Sequence, residues 1–398
     1  MHFIISMTTL VHGGGKRARV AARKLGDVDT MHANVGHSTV MGGALASLPL
    51  LFARVPPGAT FEDEYLAMAD GGSVHLSWCR SRAVAATSRG VVLIAPGLNT
   101  SSKWAYIKHA MGNLARLGFA AVCFDYRGDC APLTSPKMGS ADSWRDVYEV
   151  VAAMQHACAP NDVPLFGIGF SAGGTVLAKY LSDAGSSTPL RAVATISSPL
   201  DLRAFFNHIE GSTLLKKALS FAIANRAKMT FLQHVNSDAL KGLRWGKVAL
   251  SMDLDELEAA IISSGHFIGA YGSRDEYHHS CSPTLRKVMA PLLSVHAVDD
   301  PLVPVDVLPL EDIKANDHCL LALSRYGGHL GWPARWRGAQ GAEVAPTWAD
   351  EIAVRFLTAH LPAFGQMPSR ELVPCLPPQD TRPAVDDEAA QHRLRARL

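Results

Sequence analysis

From about residue 63 onward, short apolar runs alternate with amphipathic stretches. Glu64 to Met68 and Ser73 to Cys79 flank Asp70-Gly71-Gly72, turn residues between two extended runs, which predicts a β-hairpin. Val91 to Ala95 reads as a buried strand, Trp104 to Leu117 as an amphipathic helix, Ala120 to Phe124 as a strand and Ser143 to Ala157 as a helix capped near Ala141-Asp142. Val163 to Phe170, a helix after Ser171, and Ala192 to Ile196 continue the rhythm. Strands and helices in this order predict an α/β protein with a mostly parallel sheet, helices on both faces and a ligand crevice at the carboxyl ends of the strands. The hairpin would begin the sheet antiparallel.

After Ser197-Ser198-Pro199-Leu200-Asp201 the rhythm breaks, with helical stretches around 202–225 and 253–263 and no convincing strand. This predicts a helical insertion over about 201–289 that sits above the crevice as a cap. The pattern resumes with Pro291 to Val298, Val305 to Ile313 and Leu320 to Leu323, and closes with a helix from Trp348 to His360. Beyond Pro362 the chain is rich in proline and charge, so 365–398 is expected to be a flexible tail, 1–32 a disordered start, and 33–364 one domain.

With 398 residues and 48% hydrophobic content the chain can bury one large core or two smaller ones, and the patterning favours one. A net charge of +2 with both signs interspersed gives no reason to expect a nucleic-acid partner. The seven cysteines are odd in number and lack C-x-x-C spacing, which argues against a disulfide framework and a zinc site and for a reducing, intracellular, cytoplasmic setting. Lys16, Arg17, Arg19, Arg23 and Lys24, with no acid before Asp27, are similar to a transit-peptide composition, so mitochondrial import is the alternative address. Residues 38–54 carry no charge until Arg54 but are short, with two glycines and a proline, and read as a buried or interfacial lead-in rather than a membrane span.

The densest chemical signal is PLFGIGFSAGGTVLAKY at 164–180. An apolar strand meets Gly169-Phe170-Ser171-Ala172-Gly173 and turns into a helix, the G-x-S-x-G elbow that presents a serine nucleophile. Alone, such a corner has the alternative reading of a Gly-rich turn with an incidental serine. Two later strand ends supply partners, Asp299-Asp300-Pro301-Leu302-Val303-Pro304 and Tyr326-Gly327-Gly328-His329-Leu330-Gly331. Serine needs a neutral imidazole to accept its proton and a carboxylate to orient that imidazole, which makes Ser171, His329 and Asp300 the expected catalytic set. Asp300 is chosen over Asp299 because it stands three residues before Val303-Pro304. The expected oxyanion donors are the backbone N–H groups of Leu98, in the turn after strand 91–95, and Ala172. His278-His279 and the Asp299-Asp300 pair lack further ligands at metal spacing, so no metal is expected.

Together PGLNTSSKW, FDYRGDCAPLTSPK, ADSWRDV, GFSAGG, ISSPLDL, HAVDDPLVP and GGHLGW resemble the YheT-like esterase/lipase branch of the α/β hydrolases, which includes the abhydrolase-domain lipases and the embryogenesis-associated plant proteins. The resemblance spans roughly 33–362 and includes the stretch Ala33 to Thr39 around His37, which lacks the glutamine usual in the family. It implies the α/β-hydrolase fold, cleavage of carboxylic esters (acylglycerols, phospholipids or medium-chain acyl esters) and no cofactor, and no protein partner is evident in the sequence. Some relatives transfer the acyl group to an alcohol, so an O-acyltransferase is the nearer alternative, and a non-catalytic binding protein on the same fold the remoter one. A lipid substrate also leaves peripheral membrane contact as an expectation.

Overall fold

Every residue of the run VVLIA at 91–95 is buried, and its side chains alternate between two cores: Val91, Leu93 and Ala95 join one, Val92 and Ile94 the other. That is how a strand covered on both faces behaves. The structure, a computed structural model, describes residues 8–13, 15–25, 55–81, 88–158, 162–211, 213–265, 267–332 and 347–362. Its strands are Thr8–Val11 (β1), Ala59–Ala67 (β2), Ser73–Ser81 (β3), Val91–Ala95 (β4), Ala120–Asp125 (β5), Leu165–Phe170 (β6), Leu190–Ile196 (β7), Leu292–Ala297 (β8) and Cys319–Ser324 (β9). They form one sheet in the order β1-β9-β8-β7-β6-β4-β5-β3-β2. β5, β4, β6, β7, β8 and β9 run parallel, while the β2–β3 hairpin and β1 are antiparallel additions at the two edges.

Helices Lys16–Leu25 (α1), Ala105–Arg116 (α2) and Trp348–Thr358 (α11) cover one face through Leu25, Ile107, Met111, Ile352 and Phe356. Trp144–Cys158 (α3) and Ala172–Ala184 (α4) cover the other through Val147, Val150, Leu177 and Leu181. Between β7 and β8 lie Leu202–Ile209 (α5), Leu214–Leu232 (α6), Trp245–Leu250 (α7), Leu254–Ile262 (α8) and Arg274–Cys281 (α9), and Leu310–Ala315 (α10) precedes β9. The helical stretch expected over 202–225 is thus two helices, α5 and α6, and α7 and α9 lie outside the expected helical stretches. Arg127, 3% exposed, clamps the hairpin turn to α3 by pairing with Asp70 at 2.8 Å and Asp146 at 2.9 Å.

The disordered start expected for 1–32 is corrected over part of its length. Thr8–Val11 pairs with β9, and Lys16–Leu25 is a helix whose Ala18 and Leu25 are buried against the α2/α11 core. Basic residues hide that periodicity, because the helix buries only small or widely spaced apolar side chains. Residues 26–54 with His37, and the tail 365–398, lie outside the described residues. Among the described residues no helix is long and apolar enough to cross a membrane.

Candidate active site

β4 sits between β5 and β6, so the connections leaving β4 and β6 diverge and open a crevice at their carboxyl ends. Ser171 stands at that point, between β6 and α4, with φ 50° and ψ −121°, a left-handed backbone that costs a non-glycine residue energy and must be held by its surroundings. The Ser171 N–H donates to the Ile196 carbonyl at 2.8 Å. A Cβ at Gly173 would lie 2.1 Å from the Ala95 carbonyl oxygen, and one at Gly169 would lie 2.4 Å from Cα of Gly174. Only glycine lets the elbow close this tightly against β4.

His329 Nε2 lies 3.0 Å from Ser171 Oγ, and His329 Nδ1 lies 3.0 Å from Asp300 Oδ2. Oδ1 of Asp300 accepts from the Leu302 and Val303 N–H groups at 2.8 and 3.0 Å. Burial alone would raise this carboxyl, but the His329 charge, its hydrogen bond and the two backbone donors outweigh it and hold Asp300 below the usual carboxylate range. Asp299 turns elsewhere and accepts from the Gly328 N–H at 2.8 Å, anchoring the loop that carries His329. The same loop is tied to β7 by the Leu330 N–H on Ser197 Oγ at 3.2 Å, which gives the first serine of ISSPLDL a part in setting the histidine.

The turn after β4 comes close to the serine, since a Cβ at Gly97 would lie 3.5 Å from Ser171 Cβ. Gly97 spends its own N–H on the Tyr106 hydroxyl at 3.2 Å, leaving Leu98 as the next donor in the turn, opposite Ala172 at the first position of α4. Leu98 and Ala172 both line the cavity that contains Ser171.

That cavity has a volume of about 440 Å³ and reaches under α5, α6 and α8. Phe205, Phe206, Ile223, Phe231, Leu257 and Ile261 make its far walls apolar. Phe205, Phe206 and Phe231 of the inserted helices line it, whereas Leu214, Phe221, Met229 and Leu232 lie on the exposed side of α6. Polar groups gather near the β4 turn. Asp129 is pushed up to about 7, first by burial and then by neighbouring Asp125, against the opposing pull of Arg226. Arg226 donates to the Asn99 carbonyl at 2.9 Å, and Asn99 Nδ2 is a buried donor with no partner among the described residues. Sequence reasoning missed Asp129 and Arg226. The signals are present as an acid within FDYRGDC and the single arginine of the run 214–232.

His296 on β8 lies below the set, with both ring nitrogens buried and unpartnered among the described residues. Burial pushes its pKa down to about 4, so the folded protein holds it neutral. Between about 6.5 and 4 the unfolded chain binds a proton that the folded chain refuses, so stability falls with pH through that window by up to about 3 kcal/mol. His296→Leu is expected to abolish this part of the loss, as read from denaturant unfolding of both proteins at neutral pH and near the lower limit. Equal pH slopes would sink the assignment.

Among the described residues His75, Asp125 and Cys130 are the group that could offer metal ligands, with one atom each within 4.8 Å of the others. Hydrogen bonds already occupy Asp125: His75 Nδ1 at 2.8 Å, the Ser102 N–H at 2.6 Å and Ser102 Oγ at 2.5 Å. The cluster accounts for itself as a buried brace between β3, β5 and the turn after β4.

The Hydrolase_4 family, described as serine aminopeptidase, S33, matches residues 86–308, and this chain belongs to it. With its mostly parallel sheet it is an α/β hydrolase of the abhydrolase-domain type. It is 30% identical to phospholipase ABHD3 of Homo sapiens over 77% of this chain and 74% of that one. It is 28% identical to embryogenesis-associated protein EMB8 of Picea glauca over 77% of this chain and 68% of that one. A monoacylglycerol lipase of Saccharomyces cerevisiae is 25% identical over 69% of this chain and 63% of its own.

Proposed function

We propose that this carboxylic ester hydrolase works through an acyl-enzyme on Ser171 and that its substrates are lipid-type acyl esters. Relatives named as phospholipase and monoacylglycerol lipase support the ester class. The observation that carries the mechanism is the continuous Ser171–His329–Asp300 hydrogen-bond chain opening into an apolar cavity. Neutral His329 accepts the Ser171 proton as Oγ attacks the ester carbonyl, and ionised Asp300 holds the ring and stabilises the imidazolium. The N–H groups of Leu98 and Ala172 receive the oxyanion, the alcohol leaves with the proton from His329, and water repeats the sequence to release the acid. The helices α5 to α9 serve as a cap whose inner wall takes the acyl chain.

Each methylene that leaves water for this wall is worth about 0.8 kcal/mol, roughly fourfold in kcat/KM. Turnover is therefore expected to climb from acetyl to medium-chain esters. The test is a panel of esters of graded acyl length, run with and without a competing alcohol. Fastest turnover on acetyl esters would contradict the acyl-channel reading, and predominant transfer to the alcohol would make the enzyme an O-acyltransferase.

A further inference from the structure

α6 has no single apolar face, since apolar side chains in the run LLKKALSFAIANRAKMTFL recur on every side among Lys216, Lys217, Asn225, Arg226 and Lys228. Here only part of it is covered. Ile223, Ala227, Thr230 and Phe231 face the cavity, while Leu214 is 85% exposed and Phe221 45%. The exposed residues Leu214, Ala218, Phe221, Met229 and Leu232 recur at helical spacing along one stripe. The end of α7 extends the stripe, with Leu250 79% and Met252 59% exposed. Two hydrogen bonds hold that segment against α6, from Lys228 Nζ to the Ser251 carbonyl at 2.6 Å and from the Leu254 N–H to Ser220 Oγ at 3.2 Å.

Charge selects what covers this patch. With Lys228 buried on Ser251 and Arg226 turned to Asn99 at the cavity, residues 211–252 leave Lys216, Lys217, Lys241, Arg244 and Lys247 against Asp238, which is five minus one, or +4, in a chain whose total is +2. The rest of the molecule is therefore net acidic, and the cation excess belongs to the same segment that carries the exposed apolar stripe. Exposed apolar side chains in a segment with an excess of lysine and arginine match the boundary between the acyl chains and head groups of an anionic bilayer.

We propose that the outer face of α6 and the end of α7 dock on an anionic lipid surface, bringing the cavity mouth to the bilayer. A lipid would then move from the membrane into the cavity along the same helix that lines it. The charge excess would contribute a salt-sensitive part of the affinity and the apolar stripe a salt-resistant part.

The experiment is co-sedimentation of the full chain with vesicles of phosphatidylcholine alone and of phosphatidylcholine mixed with phosphatidylglycerol, at low and high salt. Binding is expected to favour the mixed vesicles and to weaken with salt. The double variant Leu214→Glu, Leu250→Glu should bind them at least about tenfold more weakly while keeping its unfolding temperature and its turnover of a soluble short-chain ester. Neither residue lines the cavity, so lost binding with retained soluble turnover isolates docking from chemistry. Because binding is read without turnover, failure of the ester reading would leave this result standing. The proposal is overturned if the wild-type chain ignores both vesicle types, if the variant binds as the wild type does, or if the stripe proves to be covered by a second copy, seen as a dimer that the variant splits.

Discussion

Ser171→Ala is expected to lower ester turnover by roughly 10⁴-fold or more and to abolish covalent labelling by a fluorophosphonate. The loss is large because the serine supplies the bond-forming atom, and what remains is binding and the oxyanion donors. Alanine should fit the elbow without unfolding it, since the backbone there is held by the Ser171 N–H on Ile196 and by the glycines packed against β4. The variant's thermal unfolding is therefore expected to lie near that of the wild type. Labelling that persists in the variant would remove Ser171 from the mechanism.

Two adjacent acids give the second large effect. Asp300→Asn is expected to cost up to about 10⁴-fold in kcat with the fold retained. The new amide oxygen can still accept from Leu302 and Val303, but its nitrogen then faces His329 Nδ1 and forces the wrong imidazole tautomer toward the serine. Asp299→Asn should change little, because the amide oxygen can go on accepting from the Gly328 N–H. Kinetics of the two folded variants side by side decide the matter, and an inactive Asp299→Asn with an active Asp300→Asn would reassign the acid.

The elements legible in the sequence are those whose burial is symmetrical. β4, β6 and β8 are apolar on both faces and announce themselves as runs, and α2 and α3 show a helical period because one side meets the sheet. Edge elements are harder to read. β2 begins at Ala59, earlier than the Glu64 expected, because at the edge of the sheet Glu62 and Asp63 remain exposed and break the apolar signal. α1 was read by its charge, although Ala18 and Leu25 are what fasten it. Ser171, His329 and Asp300 could be proposed together because each follows a readable strand, and the strand ends meet at one edge of the sheet. The division of α6 into an inner and an outer side is not legible in the sequence, since apolar and polar residues are mixed around its whole circumference and only the packing of α5 and α8 decides which side is covered.

Without β1 the sheet would end on β9, the strand CLLALS, whose side chains are nearly all buried and carry no charge to repel a neighbour. An uncharged terminal strand is a template on which another chain can extend the ladder, the first step toward insoluble polymer. The four residues of Thr8–Val11 occupy that position in every register from Ser324 to Leu321. At the opposite margin β2 presents Glu62 and Asp63, so one end of the sheet is protected by a short covering strand and the other by electrostatic repulsion. The chain's amino-terminal residues thus bear on its colloidal behaviour, tens of residues before the first atom of the hydrolytic machinery.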